Sequence, residues 1–211
     1  MEPFVRVDQY QYIRKQLLEL VRGYQTANDK SVQGALKTMA LERMFSLFPA
    51  MTKEQEDILK QVSSVNEKEE AERFLLKLKS YIIPFQITED EIINAFPKMK
   101  KLKVPALQSF DLTNCSYISW IDQSKLLKFI VTRRDGYVTG TYGTMEYSQK
   151  TGVCAICKSV EKTGLFLVKE KGKEAGTYRK KGNYICVDSQ ACNQNLTSLS
   201  PLYEFLDTLR K

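Results

Sequence analysis

GVCAIC at residues 152–157 and YICVDSQAC at residues 184–192 decide how this chain reads. They set Cys154-x-x-Cys157 and Cys186-x5-Cys192 on either side of a lysine-rich stretch. Thiolates are soft, charge-dense donors, and four of them meet the tetrahedral preference of Zn2+. A Cys-x-x-Cys turn brings two sulfurs to one ion at little loop-closure cost, and the second pair then pins a distant segment to the first. The sequence contains no histidine, so such a site is all-cysteine. Four thiolates on one dication leave a closed site of formal charge −2 with no open position for a substrate, which describes a structural zinc finger and not a hydrolytic centre. A redox pair and two disulfides are the other readings of the same four residues. Redox chemistry does not need the second pair, and no thioredoxin-type pattern surrounds the first. Disulfides imply export, whereas the N-terminal MEPFVRVDQYQYIRKQ shows no apolar signal region. Cys115, in TNCSYISW, reads as a small buried hydrophobe.

Around the cysteines, the charge is unevenly placed. The chain has 211 residues and a formal net charge of +7, enough length for one domain or two small ones. Residues 1–83 carry 13 Lys/Arg against 12 Asp/Glu, whereas residues 84–211 carry 19 against 13. Between Lys150 and Cys186 stand nine basic side chains (Lys150, Lys158, Lys162, Lys169, Lys171, Lys173, Arg179, Lys180 and Lys181) and three acids, Glu161, Glu170 and Glu174. Part of that excess offsets an anionic metal site, and the rest makes a surface that attracts RNA or an acidic protein. No apolar run is long enough to span a bilayer, and reduced cysteines fit a cytoplasmic protein.

Residues 1–83 read as four helices. Tyr10, Ile13, Leu17, Leu20, Val21 and Tyr24 form one apolar stripe. A second helix starts at Asn28 or Asp29 and carries Leu36, Met39, Ala40, Met44 and Leu47 toward Pro49. Thr52-x-x-Gln55 is a capping box that opens a third helix with Ile58, Leu59 and Val62. Asn66 or Ser64 caps a fourth, bearing Ala71, Phe74, Leu75, Leu78 and Ile82. Stripes of this kind cannot be buried singly, so an antiparallel four-helix bundle is expected.

Pro84 ends that pattern. Thr88-x-x-Glu91 opens a short helix with Ile92, Ile93 and Phe96, and FPKMKKLKVP at 96–105 is an irregular connection. The period then changes to strands. Leu127–Arg133 and Tyr137–Tyr142 flank Asp135-Gly136, a strong hairpin-turn signal. Residues 165–168 and 184–186 are further strands, while Gly136, Gly140 and Gly143 turn and bend the hairpin. Ser200-Pro201 caps and starts a last helix that buries Leu202, Phe205, Leu206 and Leu209. Gly136, Gly140 and Gly143 lack the Lys-Ser/Thr of a phosphate loop. Without histidine the common nucleophile triads cannot be assembled, and the chain reads as no enzyme.

DQYQYIRKQLLEL (8–20), YIIPF (81–85), FPKMKKLKVP, GVCAIC and YRKKGNYICVDSQACNQNL (178–196) together resemble the FusB-type family of elongation factor G-binding proteins, the fusidic acid resistance proteins and their relatives. The resemblance covers nearly the whole chain in order. It implies an α+β protein: a four-helix bundle over 1–83, then an α/β domain over 84–211 with a treble-clef-like zinc finger and one structural zinc. It also implies that the second domain grips the C-terminal part of elongation factor G and helps it leave ribosomes stalled by fusidic acid, with the ribosome engaged only indirectly. On this chain the implied contacts fall on Val153, Lys181, Tyr184 and Phe205, and the basic residue Lys180 completes the patch. Val153 is smaller than the aromatic residue that relatives can carry there. The expected protein is a monomer with no small-molecule substrate. The competing reading is a zinc-finger protein acting on ribosomal RNA, supported by Tyr178 and Tyr184 beside basic residues.

Overall fold

The computed structural model describes residues 1–210 apart from Asn28, Lys173 and Ala175, and of Ser148 and Gln149 the backbone alone. The alternative helix cap at Asn28 and the basic residue Lys173 therefore lie outside the described residues. The chain divides into two compact units, Met1–Ile83 and Pro84–Lys211.

In the first unit the apolar stripes fold into α1 (Val7–Thr26), α2 (Lys30–Phe45), α3 (Lys53–Lys60), a 3-10 turn at Gln61–Ser64, and α4 (Lys68–Lys79). Ile13, Leu17, Met44, Leu59, Val62 and Leu78 are buried together. Asp29 caps α2 by accepting from the Ser31 N–H at 2.7 Å. Thr52 and Gln55 form the reciprocal box at the start of α3, at 3.0 and 3.3 Å. Two expectations shift. Met39 is 46% exposed, because the buried edge of α2 runs through Ala40 and Met44 at four-residue steps, with Leu36 packed beside them. The start of α4 falls at Glu67, where Glu70 reaches back to the N–H groups of Asn66 and Glu67, so neither Asn66 nor Ser64 is its cap. Both ends of the unit are tied: Tyr81 O accepts from Phe4 and Val5, and Val5 O accepts from Ile83 at 2.8 Å.

The second unit holds α5 (Glu89–Asn94), five antiparallel strands in the order β1-β2-β3-β4-β5, and α6 (Ser189–Asn195) and α7 (Ser200–Arg210). The strands are β1 Ile118–Asp122, β2 Leu127–Arg134, β3 Tyr137–Val153, β4 Val160–Lys171 and β5 Tyr178–Cys186. The turn between β2 and β3 uses Asp135 and Gly136 at φ of 51° and 81°, the pair of left-handed residues that a tight hairpin demands. Alternation along β2 builds two cores. Phe129 and Val131 meet Ile92 and Phe96 on one face; Ile130 joins Phe166, Leu202, Phe205 and the cysteines on the other. Ile93 is 45% exposed, since a two-turn helix buries only one edge. Helix α7 begins at Ser200 itself, and Leu199 O accepts from Tyr203, so Ser200 is its first residue and not its cap. β1 and α6 had no counterpart in the sequence reading, and β3, β4 and β5 are all longer than expected.

Candidate metal centre and contact surface

β3 ends at Val153 and β4 begins at Val160, so the first cysteine pair occupies the tight connection between them. The Lys158 N–H donates to Cys154 O at 2.9 Å, the Cys154 N–H donates to Ser159 O at 3.0 Å, and Lys158 takes the left-handed φ of 61° that closes the turn. β5 delivers Cys186 at its last residue. Asp188 then caps α6 through the N–H groups of Gln190 and Ala191, and the first turn of that helix carries Cys192 inward. The Ala155 N–H donates to Tyr184 O at 2.8 Å and joins the two segments.

The four side chains converge. All are buried, and their Sγ atoms lie within 4.8 Å of one another. Cys154–Cys192 and Cys157–Cys186 Sγ separations are 3.8 and 3.7 Å. A tetrahedron of sulfurs about 2.3 Å from a central zinc has edges of about 3.8 Å, whereas a disulfide needs about 2.05 Å. The set therefore fits one structural Zn2+, and all five cysteines are free of disulfides. Cys154 Sγ also accepts from the backbone N–H groups of Ile156 and Cys186, each at 3.3 Å, the polarity a thiolate needs. Without a cation such crowding cannot leave four thiolates: hydrogen bonds to Cys154 first, then to the other thiols, push Cys192 far up. A dication reverses that and holds all four ionised. Cys115 lies apart, half-buried beside the α5 core, with burial pushing its thiol up to about 11.

Sequence reasoning missed two residues around this centre. Lys128 is only 2% exposed, and its ammonium donates to Val187 O at 3.3 Å and Ser189 Oγ at 2.8 Å. It thus ties down the arc between Cys186 and Cys192. Burial lowers its pKa, and the charges of Cys192, Cys186 and Asp188 oppose that fall. Nothing in LKFIVTRR separates this lysine from an ordinary solvated one; only the pairing of β2 and the placement of α6 bury it. Asn193 is the second. Its Oδ1 accepts from the Ser116 N–H at 2.7 Å, and its Nδ2 donates to Tyr117 O and Ser189 O, locking α6 to the segment before β1.

The contact residues expected from the sequence do not all share one face. Val153 is 61% exposed at the knuckle and Tyr184 48% exposed on β5. Alternation along β5 sets Lys180 and Tyr184 on one side and Lys181 on the other, where its Nζ meets Glu170 at 2.6 Å. Phe205 is buried against Phe166, with ring centroids 6.1 Å apart, and is part of the core under β4.

Two family models match in sequence order. Residues 4–86 match the N-terminal domain of elongation factor G-binding protein, and residues 89–204 match the FBP C-terminal treble-clef zinc-finger. No curated protein matches the sequence. Among solved structures, that of the fusidic acid resistance protein FusC superposes with a TM-score of 0.85 at 34% identity over 97% of each chain. Among the described residues no helix is long and apolar enough to cross a membrane. The knuckle, the capped α6 and the buried sulfurs are what a treble-clef finger requires, and with these matches they show that the chain belongs to the FusB-type family of elongation factor G-binding proteins.

Proposed function

We propose that this protein binds elongation factor G through its zinc-finger unit, promotes release of the factor from the ribosome, and so protects translation against fusidic acid in the cytoplasm. The observation that carries this reading is the full-length likeness to a fusidic acid resistance protein, with both family domains present in order. The chemistry of the site agrees with it. Four thiolates close the coordination sphere, so bound zinc supplies rigidity and no reaction, in keeping with a non-enzymatic role for a protein that we propose acts as a monomer. Zinc holds the β3–β4 knuckle and the end of β5 in fixed relation, which lowers the ordering cost of presenting Val153, Lys180 and Tyr184 to the C-terminal domains of the factor. Phe205 acts from beneath as a support for β4. Lys181 acts through Glu170 on the opposite side of β5.

Calorimetry tests the partner directly. The full chain is titrated with purified elongation factor G and, separately, with bare ribosomal RNA, and translation is then followed with fusidic acid present. Saturable binding to the factor, with rescue that tracks affinity across variants, is expected. Binding to RNA alone, or rescue by a variant that no longer binds the factor, overturns the proposal.

A further inference from the structure

β3 serves two partners in succession. Its first half, Tyr137–Thr144, pairs with β2, and from Thr144 onward it pairs with β4. Beyond the pair Thr144↔Leu167 the two strands part. Among the described residues, 137–143 of β3 then pair only with β2, and 168–171 of β4 pair only with β5. Between these half-paired strands lies a cleft of about 580 Å³. Its wall includes Gly140, Gly143 and Tyr142, with the end of α7 beside it. A side chain at Gly143 would come within 2.3 Å of Leu167 O, so the glycine keeps the point of divergence narrow and the cleft beyond it open.

The charge around this cleft is one-sided. Lys98, Lys169, Lys180 and Arg210 line it, against one acid, Glu170, which is already held by Lys181 at 2.6 Å. Lys169 and Lys180 are direct cross-strand partners. Like charges placed opposite each other destabilise a sheet, and here an incoming carboxylate would relieve the repulsion. A free strand edge offers unpaired backbone N–H and C=O groups that another chain can satisfy. Basic side chains beside a free edge suit an acidic, extended peptide, and the four residues 168–171 span about 13 Å of such a strand.

We infer that this cleft receives an acid-rich extended segment of elongation factor G, which pairs with the free edge of β4 while its carboxylates meet Lys169, Lys180 and Arg210. The inference rests on elongation factor G being the partner. It also extends the contact surface from Lys180, on the Tyr184 face of β5, into the sheet itself.

Amide hydrogen exchange on the full chain, with and without purified elongation factor G, reads the backbone. Titrations of Lys169→Glu read the charge. That variant faces Lys180 with an opposite charge, which offsets the loss of the Lys169 ammonium from its place 3.9 Å over the Tyr178 ring, so it folds with the zinc content of the parent, while its Kd for the factor rises roughly tenfold. Reversing Lys30 and Lys53 together, exposed on the helical unit, changes Kd by less than about twofold. Alternate amides of 168–171 gain protection in the complex. A complex that forms at full strength with Lys169→Glu and leaves 168–171 unprotected overturns the cleft but not the partner. Absence of any complex with the parent chain overturns the partner assignment and this occupant with it. Protection of 168–171 by an RNA oligonucleotide and not by the factor overturns the acidic peptide.

Discussion

Replacing Lys128 by methionine removes a buried ammonium while keeping most of the side-chain volume, and so isolates its charge. Lys128 is 2% exposed and bonds Val187 O and Ser189 Oγ on the arc that joins two zinc ligands. Two effects oppose each other. Burying an ammonium is costly, and a well-packed hydrophobic substitute can be neutral or stabilising where the pair contributes little. Against that stands a tetrathiolate–zinc centre of formal charge −2 close by, and a carbonyl and hydroxyl that lose their donor at about 1–3 kcal/mol when left unpaired. Outer-sphere partners of metal ligands are typically worth 10–100-fold in metal affinity. The thiolates' charge decides the balance, so Lys128→Met is expected to weaken zinc binding 10–100-fold, about 1.4–2.7 kcal/mol. Competition with a chromogenic chelator measures that affinity, and a thermal melt of the zinc-loaded protein measures its consequence, a lower transition for residues 84–211. Zinc affinity within about threefold of the parent, with an unchanged or higher melt, would refute the reasoning. Desolvation would then dominate and Lys128 would be a structural burden and not a counter-charge.

Cys154→Ser should release the metal and unfold residues 84–211 while the helices of 1–83 persist, because structural zinc contributes on the order of 10 kcal/mol to such folds; Cys115→Ser should keep one zinc per chain by elemental analysis. Tyr184→Ala should speed dissociation from elongation factor G and cost roughly 2 kcal/mol if the ring is an interface anchor. Phe205→Ala should instead lower the melting temperature, by about 3–5 kcal/mol of stability, since the ring is core; an unchanged melt would place it at the surface. Glu91 accepts from Arg133 at 2.6 Å and from Thr88, and these bonds, the arginine's first, lower its pKa in the folded protein. A carboxylate lowered on folding contributes fully above its unfolded pKa and loses that contribution as pH falls through the folded value. Stability of the second unit should therefore drop on the acid side, and Glu91→Gln should flatten that drop; an identical acid slope in the variant would contradict the role of this pair.

What the sequence determined by itself are the features that depend on near neighbours along the chain. Helix periodicity placed α1 to α4, and reciprocal caps marked α3 and α5 because Thr52 and Gln55, or Thr88 and Glu91, need only three residues of chain to meet. The Asp135-Gly136 turn was legible for the same reason, and so was the metal set, since cysteines at two short spacings have few other uses. β1 and α6 were not legible: one is a five-residue strand with polar residues among its apolar ones, and the other a seven-residue helix that stands on its Asp188 cap and on Asn193. Tertiary structure alone decided which lysine is buried. Lys128 and Lys180 both read as basic residues near strands, but β2 turns the first toward the zinc ligands while β5 turns the second to solvent beside a cleft. It also separated Lys180 from Lys181. The physical reason is alternation: a side chain's face depends on the register of its strand, and register is set by long-range pairing that no local stretch of sequence contains.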